Sequence, residues 1–380
     1  MSDSLYIHIP FCIKKCSYCD FFSVPYNEPV VKSYINALCR ELVLKKVSAG
    51  ELKTIYIGGG TPSLLPDECF IELFQCLQDN FSLSRSGEIT VEANPGTLRE
   101  PGIHTVISLG VNRLSLGVQS FDDVELKTLG RIHTVEEALK SIELIKRAGM
   151  TNFSLDFMYG IPGQTMASWR ESLLKAVALS PTHISAYELT VEENTPLFEL
   201  IKSQKKGTSP MQKMPDEELI LEMYDHAIDF LTSCGYEHYE ISNFAMPGFR
   251  CIHNLNYWDR GEYAGAGAGA HSFVSGTRSG NIKDIHGYID HVSKGIIPEI
   301  EETRLTPEEA LREFIFLGLR KSEGISIGKA WEKGLDILAG SQEMIEEDYL
   351  VVKDNMLRMT RKGIVISNAL IASLFNKIGL

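Results

Sequence analysis

Missing from these 380 residues is any apolar run near the ~18 that a membrane-spanning helix requires. Met1 to Ile9 lack the basic start and long apolar stretch of a secretion signal, so a cytoplasmic protein is expected. No block of Lys or Arg is long enough to make a basic patch, and a formal charge of −13 with a pI near 5.3 would repel phosphate backbones. Nucleic acid is therefore not an expected partner, and membrane contact is expected only through one. Cysteine is neither scarce nor spread as a disulfide framework: three of the eight crowd between residues 12 and 19, which points to metal ligation in a reducing compartment. A second C-x2-C pair is absent, and with it the usual four-ligand signature of structural zinc.

What is present describes an ordinary folded chain, 44% hydrophobic and 23% charged, long enough for one large unit with a smaller one attached. Short β-rich runs alternate with amphipathic stretches: Leu5 to Ile9, Lys53 to Ile57, Glu88 to Ala93, Arg113 to Val118, Phe153 to Tyr159 and His183 to Leu189. Helices are predicted from about Glu28, from about Pro66 and over Val135 to Ala148. Six such βα units predict an α/β fold, a curved and incompletely closed (β/α)6 barrel over residues 1–200. Beyond it the rhythm breaks. A polar stretch with Gly207, Pro210 and Pro215 leads to a helix over Asp216 to Cys234 and a strand over Tyr236 to Ile241, an appended α+β region covering 201–300. In 301–380 a helix from Thr306, a hairpin over Tyr349 to Met359 turning at Asp354-Asn355, and a final helix capped by Thr360 outline a small winged-helix-like domain. Residues 303–380 balance eleven Lys/Arg against eleven Asp/Glu, so that outline does not imply DNA binding.

Unusual residues close nearly every predicted barrel strand, where such folds build their sites. Cys12, Cys16 and Cys19 follow the first strand on a loop short enough to set three thiolates around one face of a 4Fe-4S cluster, leaving one iron open. Gly58-Gly59-Gly60-Thr61-Pro62 follows the second, a tight turn or a loop where a ligand lies against backbone N–H groups and carbonyls. Glu92, Gln119 and Asp156 end the third, fourth and fifth strands among apolar neighbours, and a carboxylate buried there needs hydroxyls or a cation. Arg131 has the planar fork for a carboxylate, though a surface salt bridge would use it equally. His253, read as a loop residue, is more often an ordinary hydrogen-bonding group than a metal ligand. The run from Ala264 to Ala270 is either a close-packing strand or a surface near a nucleoside.

Cys-x3-Cys-x2-Cys followed by Gly-Gly-Gly-Thr-Pro resembles the radical S-adenosylmethionine superfamily. Tyr-Ile-His-Ile-Pro-Phe-Cys, Gly-Val-Gln-Ser-Phe, Leu-Gly-Arg-Ile-His and Asp-Phe-Met-Tyr-Gly-Ile-Pro-Gly-Gln narrow the resemblance to the oxygen-independent coproporphyrinogen III oxidase group, over nearly the whole chain. It implies a radical-SAM barrel and S-adenosylmethionine as cofactor. Tyr6 and Tyr18 would lie against that cofactor, Gly59, Gly60 and Thr61 at its methionine part, Arg131 at its carboxylate, and Glu92, Gln119 and Asp156 around its ribose. Oxidases of the group carry a fourth cysteine two positions after the third and a long arm before the cluster; here Phe21 stands at that position and eleven residues precede Cys12. Both departures, and His253-Asn254-Leu255-Asn256-Tyr257-Trp258, are similar to the haem chaperone branch, the HemW-like proteins. The resemblance implies haem as cargo, with His253 as its axial ligand and Cys251 and His271 as competitors, an acceptor haemoprotein and an electron donor for the cluster. The alternatives are a coproporphyrinogen III oxidase of porphyrin biosynthesis, or another radical SAM enzyme.

Overall fold

Strands form where β-branched and aromatic residues run between amphipathic stretches, and burial on both faces makes them parallel and central. The computed structural model describes residues 3–45, 51–203 and 213–380. Its six leading strands are β1 (Ser4–Ile9), β2 (Leu52–Gly59), β3 (Leu83–Ala93), β4 (Arg113–Gln119), β5 (Phe153–Tyr159) and β6 (His183–Glu188). They pair in sequence order and in parallel, as the six-unit barrel requires. Helices α1 (Glu28–Leu44), α2 (Asp67–Asn80), α3 (Glu100–Ser108), α4 (Asp123–Thr128), α5 (Val135–Arg147) and α6 (Met166–Ala178) fill the crossovers. Local chemistry sets their starts: Asn27 accepts from the Val30 N–H ahead of α1, and Thr134 with Glu137 forms a capping box on α5.

All seven residues of β4 are buried, but the two faces differ. Leu114, Leu116 and Val118 join the apolar core, whereas Ser115, Gly117 and Gln119 meet polar partners across the barrel interior. That interior is lined by serines, carboxylates, tyrosines and histidines instead of aliphatic layers, which makes it a place for chemistry as well as packing.

The region after residue 200 does more than sit beside the barrel. β7 (Glu237–Glu240) and β8 (Asn243–Ala245) form a hairpin that adds to β6 antiparallel, and β9 (Ala264–Ala266) adds to β1 parallel, extending the sheet to nine strands. The strand expected over Tyr236 to Ile241 thus stops at Glu240, where the chain reverses. The glycine-alanine run is the close-packing strand: a Cβ on Gly265 would stand 2.0 Å from the His271 carbonyl oxygen, and one on Gly267 (φ +102°) 2.5 Å from that of His8. Helix Ile285–Ser293 packs on α1 and shares the barrel's core through Ile285, Tyr288 and Val292. Gly207 and Pro210 lie outside the described residues.

The C-terminal stretch has its own core around Ile315, Leu357, Ile371 and Leu374. Strands Leu350–Lys353 and Met356–Met359 form the expected hairpin, with Asp354 and Asn355 both at positive φ (52° and 59°) as a primed turn demands. The single final helix is two: Thr360 caps Arg361–Val365, Ile366 (φ −110°, ψ 26°) leaves helical geometry, and Ser367–Ile378 follows.

Candidate functional site

At the C-terminal ends of the strands the chain leaves β1 and pairs Phe11–Cys12 with Val24–Pro25, tying both ends of the cysteine loop to the barrel. Its middle is pinned as well: Ser17 N–H donates to the Leu129 carbonyl (3.0 Å) and Leu197 N–H to that of Ser17 (2.8 Å). Gly130 (φ +70°) lets the backbone approach, since a Cβ there would be 3.0 Å from Ser17 N. Cys12, Cys16 and Cys19 are half-buried free thiols. The Thr61 hydroxyl lies 3.6 Å from Cys12 Sγ and Arg131 Nη1 3.5 Å from Cys16 Sγ, donors that favour thiolates. Burial works the other way, pushing the Cys12 thiol up and Cys19 up to about 11. A cationic centre is what would let them ionise together. Among the described residues no three His, Cys, Asp or Glu side chains converge on a point fit for one metal ion.

Arg131 is the hub of this mouth. Its Nη2 donates to Asn94 Oδ1 (2.6 Å) and to the Gly117 carbonyl (2.7 Å), and Asn94 Nδ2 donates to the Thr61 hydroxyl (2.8 Å). One hydrogen-bonded chain therefore links Cys16, Arg131, Asn94, Thr61 and Cys12. Tyr18 lies beside Arg131 and the thiols, its phenol raised by burial.

The glycine loop behaves differently from expectation. The N–H groups of Gly59, Gly60 and Thr61 are all taken within the protein, by Glu92 Oε2 (3.1 Å), the Ile9 carbonyl (2.9 Å) and the Phe11 carbonyl (2.8 Å). Side chains are excluded because the neighbours are close: a Cβ on Gly58 would be 2.9 Å from the Glu92 carboxyl, and one on Gly59 (φ +110°) 2.4 Å from the His8 imidazole. A ligand there would meet carbonyl oxygens, which suit an ammonium, and not the N–H groups an anion would need.

Glu92 also accepts from the Tyr56 hydroxyl (2.8 Å), and burial raises its pKa against those two donors. Asp156, likewise raised by burial, accepts from Ser115 (3.0 Å) and Ser154 (2.9 Å). Gln119, held at φ +69°, accepts from the Tyr187 hydroxyl (2.7 Å). Tyr6 bonds His8 Nδ1 (2.9 Å) and stacks on Tyr56 at 6.3 Å. Tyr56, Asn94, Ser115, Ser154, His8 and Tyr187 were not singled out from the sequence. The signal that could have found Tyr56, His8, Ser154 and Ser115 was period-two alternation, since each shares its strand's inward face with a predicted site residue or precedes a glycine of the loop.

His253 is elsewhere, at the opposite end of the barrel and on a helix, Ile252–Trp258, instead of a loop. It is fully buried. Its Nδ1 pairs with Thr54 Oγ1 (2.8 Å), its Nε2 with the Tyr257 hydroxyl (2.8 Å), and its ring stacks on Tyr56 at 5.1 Å. Burial depresses its pKa to about 3. Glu88 anchors the helix start, accepting from Ile252 N–H (2.9 Å), His253 N–H (3.1 Å) and the Cys251 thiol (3.4 Å). As folded, both ring nitrogens of His253 and the thiol of Cys251 are engaged by protein partners. His271 is exposed on the strand His271–Val274.

Residues 6–176 match the radical SAM superfamily and residues 305–366 the HemN C-terminal domain. The heme chaperone HemW of Lactococcus lactis is 37% identical over 96% of this chain and 95% of its own length. This chain belongs to the HemW family of radical SAM proteins. HemW of Bacillus subtilis is 36% identical over 96% of this chain and 97% of its own. Coproporphyrinogen III oxidase (HemN) from Escherichia coli shares the fold, with a TM-score of 0.83 at 22% identity over 98% of this chain and 89% of that one. Membership in the radical SAM superfamily implies a 4Fe-4S cluster and S-adenosylmethionine. The donor set fits: three soft thiols, with a guanidinium beside one and a hydroxyl beside another, at a barrel mouth lined by part-buried carboxylates. Among the described residues no helix of the HemW-family chain is long and apolar enough to cross a membrane.

Proposed function

We propose that this protein binds haem and hands it to an acceptor haemoprotein, with a 4Fe-4S cluster and S-adenosylmethionine held at the barrel mouth. The observation that carries this reading is kinship with heme chaperones along nearly the full length of the chain. Phe21, in place of a fourth cysteine and 61% exposed, supports a function other than porphyrinogen oxidation.

In this reading Cys12, Cys16 and Cys19 hold three irons. The glycine-loop carbonyls near Gly59, Gly60 and Thr61 receive the ammonium of the methionine part, and Arg131, already tied to Asn94 and Gly117, steers its carboxylate. Glu92, Gln119 and Asp156 accept the ribose and neighbouring polar atoms, each kept aligned by a tyrosine or serine hydroxyl. Tyr6 and Tyr18 give the apolar cover. Held by Cys12, Cys16 and Cys19, a reduced cluster would supply one electron to the cofactor's sulfonium. Binding of cluster and cofactor would also stabilise the conformation that holds them, whether or not turnover follows.

One anaerobic sample tests the reading: protein with reconstituted cluster, S-adenosylmethionine and coproporphyrinogen III, assayed for protoporphyrinogen, 5′-deoxyadenosine and haem binding. One haem per chain without porphyrin product is expected. Rapid protoporphyrinogen formation would replace the carrier with an oxidase, and an electron donor would then be sought for multiple turnovers.

A further inference from the structure

Alternate residues of each barrel strand point inward, and on β4 that face reads Arg113, Ser115, Gly117 and Gln119 from floor to mouth. Arg113 is only 2% exposed. Among the described residues no ion pair holds it, and its Nε has no hydrogen-bond partner. The hydroxyl of Thr90, its register partner on β3, is buried and unpartnered as well. A guanidinium sealed in this way is costly unless carboxylates one layer away balance its charge.

Two such carboxylates stand above it. Ser115, the next inward residue on β4, is in register with Glu92 on β3 and with Ser154 on β5. It donates to both oxygens of Asp156, at 3.1 and 3.0 Å, and Ser154 donates to the same carboxylate at 2.9 Å, so Asp156 is drawn down toward the level of Arg113. The other groups facing this layer leave the charge unanswered. Glu88, on the floor side of Thr90, is committed to the start of helix Ile252–Trp258, and Arg131 to Asn94 and the Gly117 carbonyl. Burial keeps the rest neutral: it raises the phenols of Tyr6, Tyr56, Tyr187 and Tyr239, lowers the imidazoles of His8, His183 and His253, and pushes the Cys251 thiol up to about 12.

We propose that Arg113 is a positioning residue for S-adenosylmethionine, a fixed positive charge beneath the site that keeps Glu92 and Asp156 both ionised so that both accept from the ribose hydroxyls. The inference rests on the reading of the barrel mouth given above. Burial raises both carboxyls, repulsion from Asp156 adds to the rise at Glu92, and the Arg113 charge opposes the rise at each. Without that charge, one of two neighbouring carboxyls takes up a proton and offers the ribose a donor where an acceptor is needed.

The test measures S-adenosylmethionine affinity calorimetrically, without air, on cluster-loaded wild type, Arg113→Lys and Arg113→Met between pH 5 and pH 8, with urea unfolding of each unloaded chain alongside. Wild-type affinity is expected to fall on acidification. Arg113→Met should lose affinity at a pH about one unit higher, and Arg113→Lys, which keeps the charge, should return the midpoint toward that of wild type. A guanidinium that only packs the floor would lower stability and weaken binding by the same factor at every pH, and that profile would overturn the proposal. Arg113→Met combined with Asp156→Asn reads the coupling from stability, even if Arg113→Met alone does not fold. Losing one carboxylate with the cation should leave the double variant more stable than Arg113→Met, and a double variant that is no more stable would overturn the coupling. Wild-type protein that incorporates its cluster but takes up no S-adenosylmethionine would instead overturn the reading of the mouth.

Discussion

The mouth and the floor of the barrel are built from the same side chains and use them in opposite ways. At the mouth, thiols are half-exposed, Glu92 and Asp156 accept from hydroxyls yet lie at strand ends, and Arg131 reaches Cys16 with one nitrogen while bonds to the Asn94 side chain and the Gly117 carbonyl fix the other. At the floor, Glu88 accepts from three donors, Cys251 and His253 are sealed, and His183 lies between Ser154 and Tyr239 at 2.8 Å each. The difference teaches that a histidine or cysteine is a ligand only where a lone pair remains for one. Saturated and buried, the same groups become the polar cement of a closed end.

The largest expected effect separates the two ends outright. Cys16→Ala should abolish iron and sulfide incorporation on anaerobic reconstitution while the thermal melt of the unloaded chain stays nearly unchanged, because the thiol is half-buried on a surface loop. His253→Ala should do the reverse, keeping iron and sulfide content but losing about 3 kcal/mol of stability in urea, from two broken hydrogen bonds and a cavity in the floor. A His253→Ala protein as stable as wild type would break the contrast and reopen the imidazole as a functional ligand.

Acid sharpens it next. Burial lowers the folded-state pKa of His253 to about 3, so between there and ~6.5 the unfolded chain binds the extra proton and stability falls as pH falls. His133 and His238, each lowered to about 4 by burial, act in the same direction. At pH 5 the share of His253 alone is about 2 kcal/mol at ~1.4 kcal/mol per pH unit. Urea unfolding at pH 7 and pH 5 should therefore show the deficit of His253→Ala shrinking by about that amount; an unchanged deficit would mean that the imidazole is solvated.

The mouth was largely legible in the sequence and the floor was not. Three cysteines in eight residues, a glycine run and carboxylates at strand ends are local patterns, and the six-strand order follows from alternation alone. The fate of His253 depends on Thr54, Tyr56 and Glu88, some 160 to 200 residues earlier, so no window around His-Asn-x-x-Tyr-Trp could show that the ring is sealed. A shorter separation hid the hairpin that extends the sheet, because Asn243 to Ala245 joins it by pairing with β6, about 60 residues earlier, as well as with β7. The glycine loop misled for a subtler reason: absence of side chains was visible, but its N–H groups are consumed by Glu92 and by the backbone that follows β1.

Tyr56 joins the two ends, and the smallest expected effect tests that joint. Its ring stacks on His253 below and Tyr6 above, at 5.1 and 6.3 Å, while its hydroxyl donates to Glu92 at 2.8 Å. Tyr56→Phe keeps the ring contacts and removes one hydrogen bond to a carboxylate, worth about 1.5 kcal/mol. The bond is made in the folded chain without ligand, so urea stability at pH 7 should fall by about that 1.5 kcal/mol, and S-adenosylmethionine affinity, measured calorimetrically on cluster-loaded protein, should drop up to roughly tenfold as Glu92 loses its alignment. The loss should also grow on acidification. Burial already raises the Glu92 pKa and the Tyr56 hydroxyl opposes that rise, so without the hydroxyl the carboxylate protonates at a higher pH. A variant whose affinity is tenfold weaker at every pH would keep Glu92 as a contact but remove Tyr56 as its proton control. A variant with unchanged affinity would confine the phenol to the floor, and the barrel's two ends would then be independent.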